Sequence, residues 1–159
     1  MFRLQRGPLS PEDALGALRS PSFGGIVVFL GRVRPDPSPR GRVAALDYEA
    51  YPKLARKEVG RLEEEAIRRH GPLGIAILHR TGRVPVGEVS VVVAVGAPHR
   101  KEAFQAARLL MDGVKRAVPI WKTEVRPGRS ARPRRRSLPP GGAPGGGSRR
   151  SRRSAPPPR

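Results

Sequence analysis

Over the first 125 positions, apolar residues come either in short continuous or alternating runs or at three-and-four spacing. Past residue 125 neither pattern continues. Runs of the first kind predict strands, and the second spacing predicts helices. Ser10-Pro11-Glu12-Asp13 combines an N-cap, a proline at the first helical position and two first-turn acids, so a short helix is expected to about residue 19. Residues 23–31 are nearly all apolar and predict a buried strand. Arg32-Val33-Arg34 leaves that strand for a proline-rich loop, 35–41, expected to be mobile. Alternation over 43–51 predicts a second strand. Pro52 then opens a helix to His70, whose apolar stripe is Leu54, Ala55, Val59, Leu62, Ala66 and Ile67. Gly71-Pro72 is its stop signal.

Residues 73–78 read as a third strand, 84–86 as a short edge piece, and 88–95, with five valines, as the strongest strand of the chain. A last helix is expected over 97–117, burying Ala103, Phe104, Ala106, Ala107, Leu110, Met111 and Val114. Pro119 ends it and 120–125 form a final strand. The order α-β-β-α-β-β-α-β interleaves helices and strands without strict βαβ alternation. An α+β domain with a mixed or antiparallel sheet over residues 1–125 is therefore expected.

Composition changes this picture at one place. Residues 126–159 hold 11 Arg, 8 Pro, 6 Gly, 5 Ser, 3 Ala and one Leu, and no acid. One large aliphatic residue cannot bury enough surface to offset chain entropy, so this segment is expected to be a disordered basic tail. The tail also explains most of the formal charge of +19: residues 1–125 carry 21 Lys+Arg against 13 Asp+Glu, or +8. A moderately basic body suits an anionic substrate or an acidic partner. The chain lacks cysteine, which excludes disulfides, thiolate catalysis and zinc–thiolate sites. Its first residues lack the apolar core of a secretory leader and no apolar run nears the ~20 residues that span a bilayer, so a cytoplasmic location is expected.

Candidate chemistry gathers in four basic groups. Arg32 and Arg34 stand at the mouth of an apolar strand. His99-Arg100 opens the last helix, where unpaired N–H groups and the helix dipole favour an anion. Lys115 lies near that helix's end. Lys122 follows Trp121, the one tryptophan, in Pro119-Ile120-Trp121-Lys122-Thr123-Glu124. Trp121 is expected to fill core. Apolar surroundings would fit Lys122 for proton transfer, because burial disfavours the charged amine. His99 and Lys115 are 16 residues apart on one helix, hence about 24 Å apart. They either serve separate sites or meet across a two-fold dimer. His79 is expected to be structural, at the turn Arg80-Thr81-Gly82. Asp47 and Glu49 share a strand face and are expected to bridge to nearby arginines rather than hold a metal.

Six segments, in order, then resemble one family: Phe29-Leu30-Gly31-Arg32-Val33-Arg34, Leu46-Asp47-Tyr48-Glu49-Ala50-Tyr51, His79-Arg80-Thr81-Gly82, Val86-Gly87-Glu88, His99-Arg100-Lys101-Glu102-Ala103-Phe104, and Lys115 through Glu124. They resemble the catalytic (large) subunit of molybdopterin synthase, the MoaE family. The resemblance implies an α/β-hammerhead fold and a homodimer of large subunits within a heterotetramer. Each would carry a small ubiquitin-like sulfur-carrier subunit whose C-terminal Gly-Gly is a thiocarboxylate. It implies sulfur transfer to cyclic pyranopterin monophosphate, giving the dithiolene of molybdopterin, with no resident cofactor or metal. By position, Lys115 and Lys122 fall on the family's catalytic lysines, and Arg34, His99 and Arg100 on its substrate-binding residues.

After Glu124 the chain departs from the family, where a further ordered segment is expected. Two explanations stay open: a genuine extension, or a frameshift near Gly128. A rival reading from another class is non-specific nucleic-acid binding through the basic tail. Its weakness is that no aromatic residue lies there to stack on bases. A third is a scaffold that binds a ubiquitin-like protein without catalysis.

Overall fold

The protein is described here from a computed structural model, which covers residues 1–35 and 42–126. The expectations of a mobile loop over 35–41 and a disordered tail over 126–159 lie, past Pro35 and Arg126, outside the described residues. The elements run β1 (Phe2–Gln5), α1 (Pro11–Gly16), β2 (Gly25–Arg32), β3 (Ala45–Ala50), α2 (Pro52–His70), β4 (Gly74–Arg80), β5 (Gly82–Pro85), β6 (Val89–Ala97), α3 (Arg100–Ala117) and β7 (Ile120–Val125). The α+β architecture is as expected, with the strands divided between two sheets. A mixed sheet has the order β1-β4-β6-β2, with β1 parallel to β4 and the other pairs antiparallel. A smaller antiparallel sheet has the order β5-β3-β7.

Side-chain alternation explains why the central strands β4 and β6 read as continuous apolar runs: both of their faces are covered. Ile75, Ile77, Val91, Val93 and Val95 point to α2 and α3, where they meet Ala55, Val59, Ala106, Leu110 and Val114. Ala76, Leu78, Val92 and Ala94 point the other way, to Leu9, Ala14 and Leu18 around α1. Helix α1 is set as its sequence predicts: the Ser10 hydroxyl accepts from the Glu12 N–H, and Pro11 follows. It is shorter than expected, its end tightening into Ala17 and Leu18 N–H bonds to Ala14 and Leu15 carbonyls. Helix α2 ends at Gly71, whose φ of 85° suits only glycine comfortably.

Four expectations are corrected. Strand β1 was not foreseen; Phe2 and Leu4 alternate with Arg3 and Gln5, and four residues are too short a run to stand out. Strand β2 is not buried. It is an edge strand, and Ile26, Phe29 and Leu30 remain 39–46% exposed, because no described strand pairs with its outer side. The stripe of α2 is narrower than its spacing suggests: Leu54 and Ile67 are exposed, while Ala55, Val59 and Ala66 are buried. On α3, Phe104 is 65% exposed rather than buried. That helix packs on the same open edge strand, β2.

Candidate active site

Helix α3 and the strands around it set the positions of the candidate residues. After β6, a two-residue link turns the chain so that α3 runs back along the sheet. His99 is the N-cap residue, but its side chain makes no capping bond, so the first-turn N–H groups have no side-chain partner among the described residues. The link is seated on glycine. A Cβ at Gly24 would stand 2.4 Å from the Pro98 carbonyl oxygen, and one at Gly25 would stand 3.2 Å from the Arg100 backbone. The absence of side chains at both positions is what lets the His99-Arg100 turn rest directly on the start of β2.

Lys115 is on the outer side of the last turn of α3, exposed. Just before it, Gly113 lets Leu62 of α2 approach to within side-chain contact, which fixes that end of α3 against α2. Lys122 is on β7, an edge strand, and its Cα partner across the ladder is Tyr48. Both lysines are exposed in the single chain, not set among apolar side chains. Trp121 is 51% exposed and so is not core; it meets Tyr51 edge to face, centroids 5.3 Å apart. β7 is an edge strand of the small sheet, which leaves that ring half open.

Arg34 follows β2 at the far end of the β2–β6 ladder from His99. Gly25 pairs with Ala97 and Arg32 with Val89, seven residues on, or about 23 Å. The fold therefore brings Arg34 and Lys115 toward one end of the sheet and keeps His99 and Arg100 at the other. Among the described residues, the side chains of Lys115, Lys122, His99 and Arg100 make no hydrogen bond or ion pair. Arg32, by contrast, is used structurally: its Nε donates to the Gly87 carbonyl at 2.7 Å.

The other motifs resolve into structure. Arg80, buried, pairs with the Glu88 carboxylate and donates to the Arg6 and Arg83 carbonyls at 3.3 and 3.5 Å, which joins the turn at Gly82 to the turn at Gly87. His79 is structural, as expected, though it lies inside β4. Its ring is 7% exposed, and Nδ1 is 2.8 Å from the Arg80 carbonyl. A carbonyl only accepts, so Nδ1 carries the proton. Burial pushes the His79 pKa below its ordinary value, and the bond to Arg80 opposes this in part. Asp47 and Glu49 do share a strand face, but neither forms an ion pair among the described residues, contrary to expectation. They line an open groove of about 1040 Å³ with Arg6, Tyr48, Tyr51, Thr81 and Trp121. Sequence reasoning missed this groove, because its walls come from β1, β3, β7 and the β4–β5 turn; it also missed the Gly24-Gly25 seat, whose doubled glycine was the available signal.

No described helix is long and apolar enough to cross a membrane. The model of the family described as "MoaE protein" matches residues 4–117. The chain is 46% identical over 114 residues to a molybdopterin synthase catalytic subunit of Pyrococcus abyssi, covering 72% of this chain and 76% of that one. Molybdopterin synthase from Staphylococcus aureus superposes with a TM-score of 0.74 at 31% identity, over 78% of this chain and 90% of that one. A Helicobacter pylori complex of subunits 1 and 2 of molybdopterin-converting factor shares the fold, with a TM-score of 0.68 at 22% identity, covering 87% and 93%. These likenesses give no support to nucleic-acid binding, whose basis, the segment 126–159, lies outside the described residues beyond Arg126. On the family match and on an identity this high over three quarters of the relative, the chain belongs to the MoaE family.

Proposed function

We propose that the chain is the catalytic subunit of a molybdopterin synthase. It transfers sulfur from the thiocarboxylated C-terminus of a small ubiquitin-like carrier to cyclic pyranopterin monophosphate, forming the dithiolene. The observation that carries this reading is the division of basic groups between the two ends of α3, beside an open apolar edge. Arg34 and Lys115 gather at one end, and His99 and Arg100 at the other. Antiparallel pairing of β2 with the β2 of a second copy would cover Ile26, Phe29, Leu30 and Phe104. It would also set the His99-Arg100 end of one protomer beside the Arg34 and Lys115 end of its partner. The working unit is then a homodimer with two shared sites, each served by one carrier subunit, in a heterotetramer.

The roles follow from chemistry. Carrier tail and cyclic phosphate are both anions. Arg34 holds one by bidentate bonds, and the uncapped N-terminus of α3 with His99 and Arg100 holds the other. Sulfur attack on the pterin side chain requires protons to move and a carboxylate leaving group to be stabilised. Lys115 is the more critical proton-transfer or electrophilic group, and Lys122 assists. Sulfur arrives on the carrier, so a chain without cysteine can serve. Mixing this chain with a thiocarboxylated carrier and cyclic pyranopterin monophosphate tests the proposal: dithiolene product is expected. Carrier binding without product, unchanged by Lys115→Ala, would make the chain a scaffold.

A further inference from the structure

Lys122 poses a problem that the assignment of roles leaves open. A lysine side chain has many rotamers, and holding it in one costs entropy. This one stands exposed on an edge strand with no hydrogen-bonding or ionic partner among the described residues. Its neighbours on the same face of β7 are Ile120 and Glu124, and the Glu124 carboxylate is paired with Arg126. Across the ladder, the residue directly opposite is Tyr48. Directly opposed side chains share a face, with Cβ atoms about 5 Å apart. Trp121, on the adjacent position, faces the other way.

Tyr48 is itself fixed from a second direction. Its ring meets the His79 ring edge to face, centroids 5.1 Å apart at 73°. His79 is buried in β4, between Leu4 of β1 and Val91 of β6, and its Nδ1 is bound to the Arg80 carbonyl. Tyr48 thus spans the two sheets: it is rooted on the small sheet that bears Lys122 and leans on the rigid centre of the large one. Resting on the reading that Lys122 works in sulfur transfer, we propose that Tyr48 is a positioning residue for Lys122. Its ring packs along the lysine stem and aims the amine, and His79 holds that ring in place. A long amphipathic side chain readily lays its methylenes on such a ring while its charged head stays in water.

The ring, not the hydroxyl, carries this role, since the Tyr48 hydroxyl has no partner among the described residues. Single-turnover and steady-state rates with a thiocarboxylated carrier and cyclic pyranopterin monophosphate provide the test. Tyr48→Ala is expected to lower kcat roughly tenfold with KM within about twofold, as a small misplacement of a reacting group does. Tyr48→Phe is expected to stay within about twofold of the parent in both. In a Lys122→Ala background, Tyr48→Ala is expected to add no further loss, because residues acting through one another are not additive. Tyr48→Leu replaces the alanine variant if that one does not fold. A Tyr48 effect that multiplies with Lys122→Ala, a loss in Tyr48→Phe equal to that in Tyr48→Ala, or a full rate in Tyr48→Ala overturns the inference. Parent activity in Lys122→Ala alone would instead overturn the role of Lys122 on which it rests.

Discussion

The two ends of α3 are built differently. At the first, main chain lies on main chain: Gly24 and Gly25 let the Pro98–Arg100 turn sit on β2 with no side chain between. At the other, a flexible side chain does the fitting, Leu62 closing on Gly113, and Lys115 stands free beyond it. The frame that would hold an anion is therefore set by main-chain contact, and the amines that would move protons are exposed, with no hydrogen-bonding or ionic partner among the described residues. Steady binding of a fixed charge calls for the first arrangement, and delivery of a proton during reaction tolerates the second. About 24 Å separates the two ends, so the proposed function needs a second chain to bring them into one site.

The largest effect should come from the lysine end. Lys115→Ala is expected to lower the rate of dithiolene formation by about 10²–10⁴, the range for losing a general acid–base group. The melting temperature and the dimer should be unchanged, since its amine makes no hydrogen bond or ion pair among the described residues. A variant that is as active as the parent would remove the contrast between the ends. Next comes the glycine seat. Gly24→Ala must displace backbone and is expected to cost about 1–3 kcal/mol by urea unfolding. It should also raise KM for the cyclic phosphate more than it lowers kcat. Gly113→Ala sharpens the same contrast from the other side. Leu62 can rotate away, and alanine gains up to about 1 kcal/mol of helix propensity, so its cost should be the smaller of the two.

The smallest effect is a pH dependence. His79 has its folded pKa below the ordinary imidazole value of 6.5, so the folded state favours the neutral ring. Between the two pKa values the unfolded chain binds more protons than the folded one. Its contribution to stability is complete above pH 6.5 and is lost progressively as the pH falls through that value toward the folded pKa. Urea midpoints should be flat above pH 7 and decline below 6.5, and His79→Gln should flatten the decline. A midpoint that rises as the pH falls through this range would contradict the assignment.

Local signals made much of this legible. The Ser10 cap with Pro11, the Gly71 stop and the valine-rich run at β6 each name their element without help from the rest of the chain. Six ordered motifs named the family. What failed was whatever depends on neighbours distant in sequence. Ile26, Phe29 and Phe104 look like core to any local rule, and only the sheet order reveals that β2 is an edge. Trp121 looks like core for the same reason. Asp47 and Glu49 were placed on the correct face, yet the groove they line required the meeting of β1, β3 and β7. The pairing of Tyr48 with Lys122 is a matter of register, which the spacing along the chain does not set. Of the candidate site, the residue types were legible; the separation of Arg34 from His99 along the β2–β6 ladder was not.

One measurement bears most directly on the central claim that each site is shared. A forced heterodimer carries His99→Ala in one protomer and Lys115→Ala in its partner. One of its two sites then keeps both residues intact, so about half the parent's activity should return from two inactive parents. A heterodimer that forms and binds the carrier but makes no dithiolene would contradict the account.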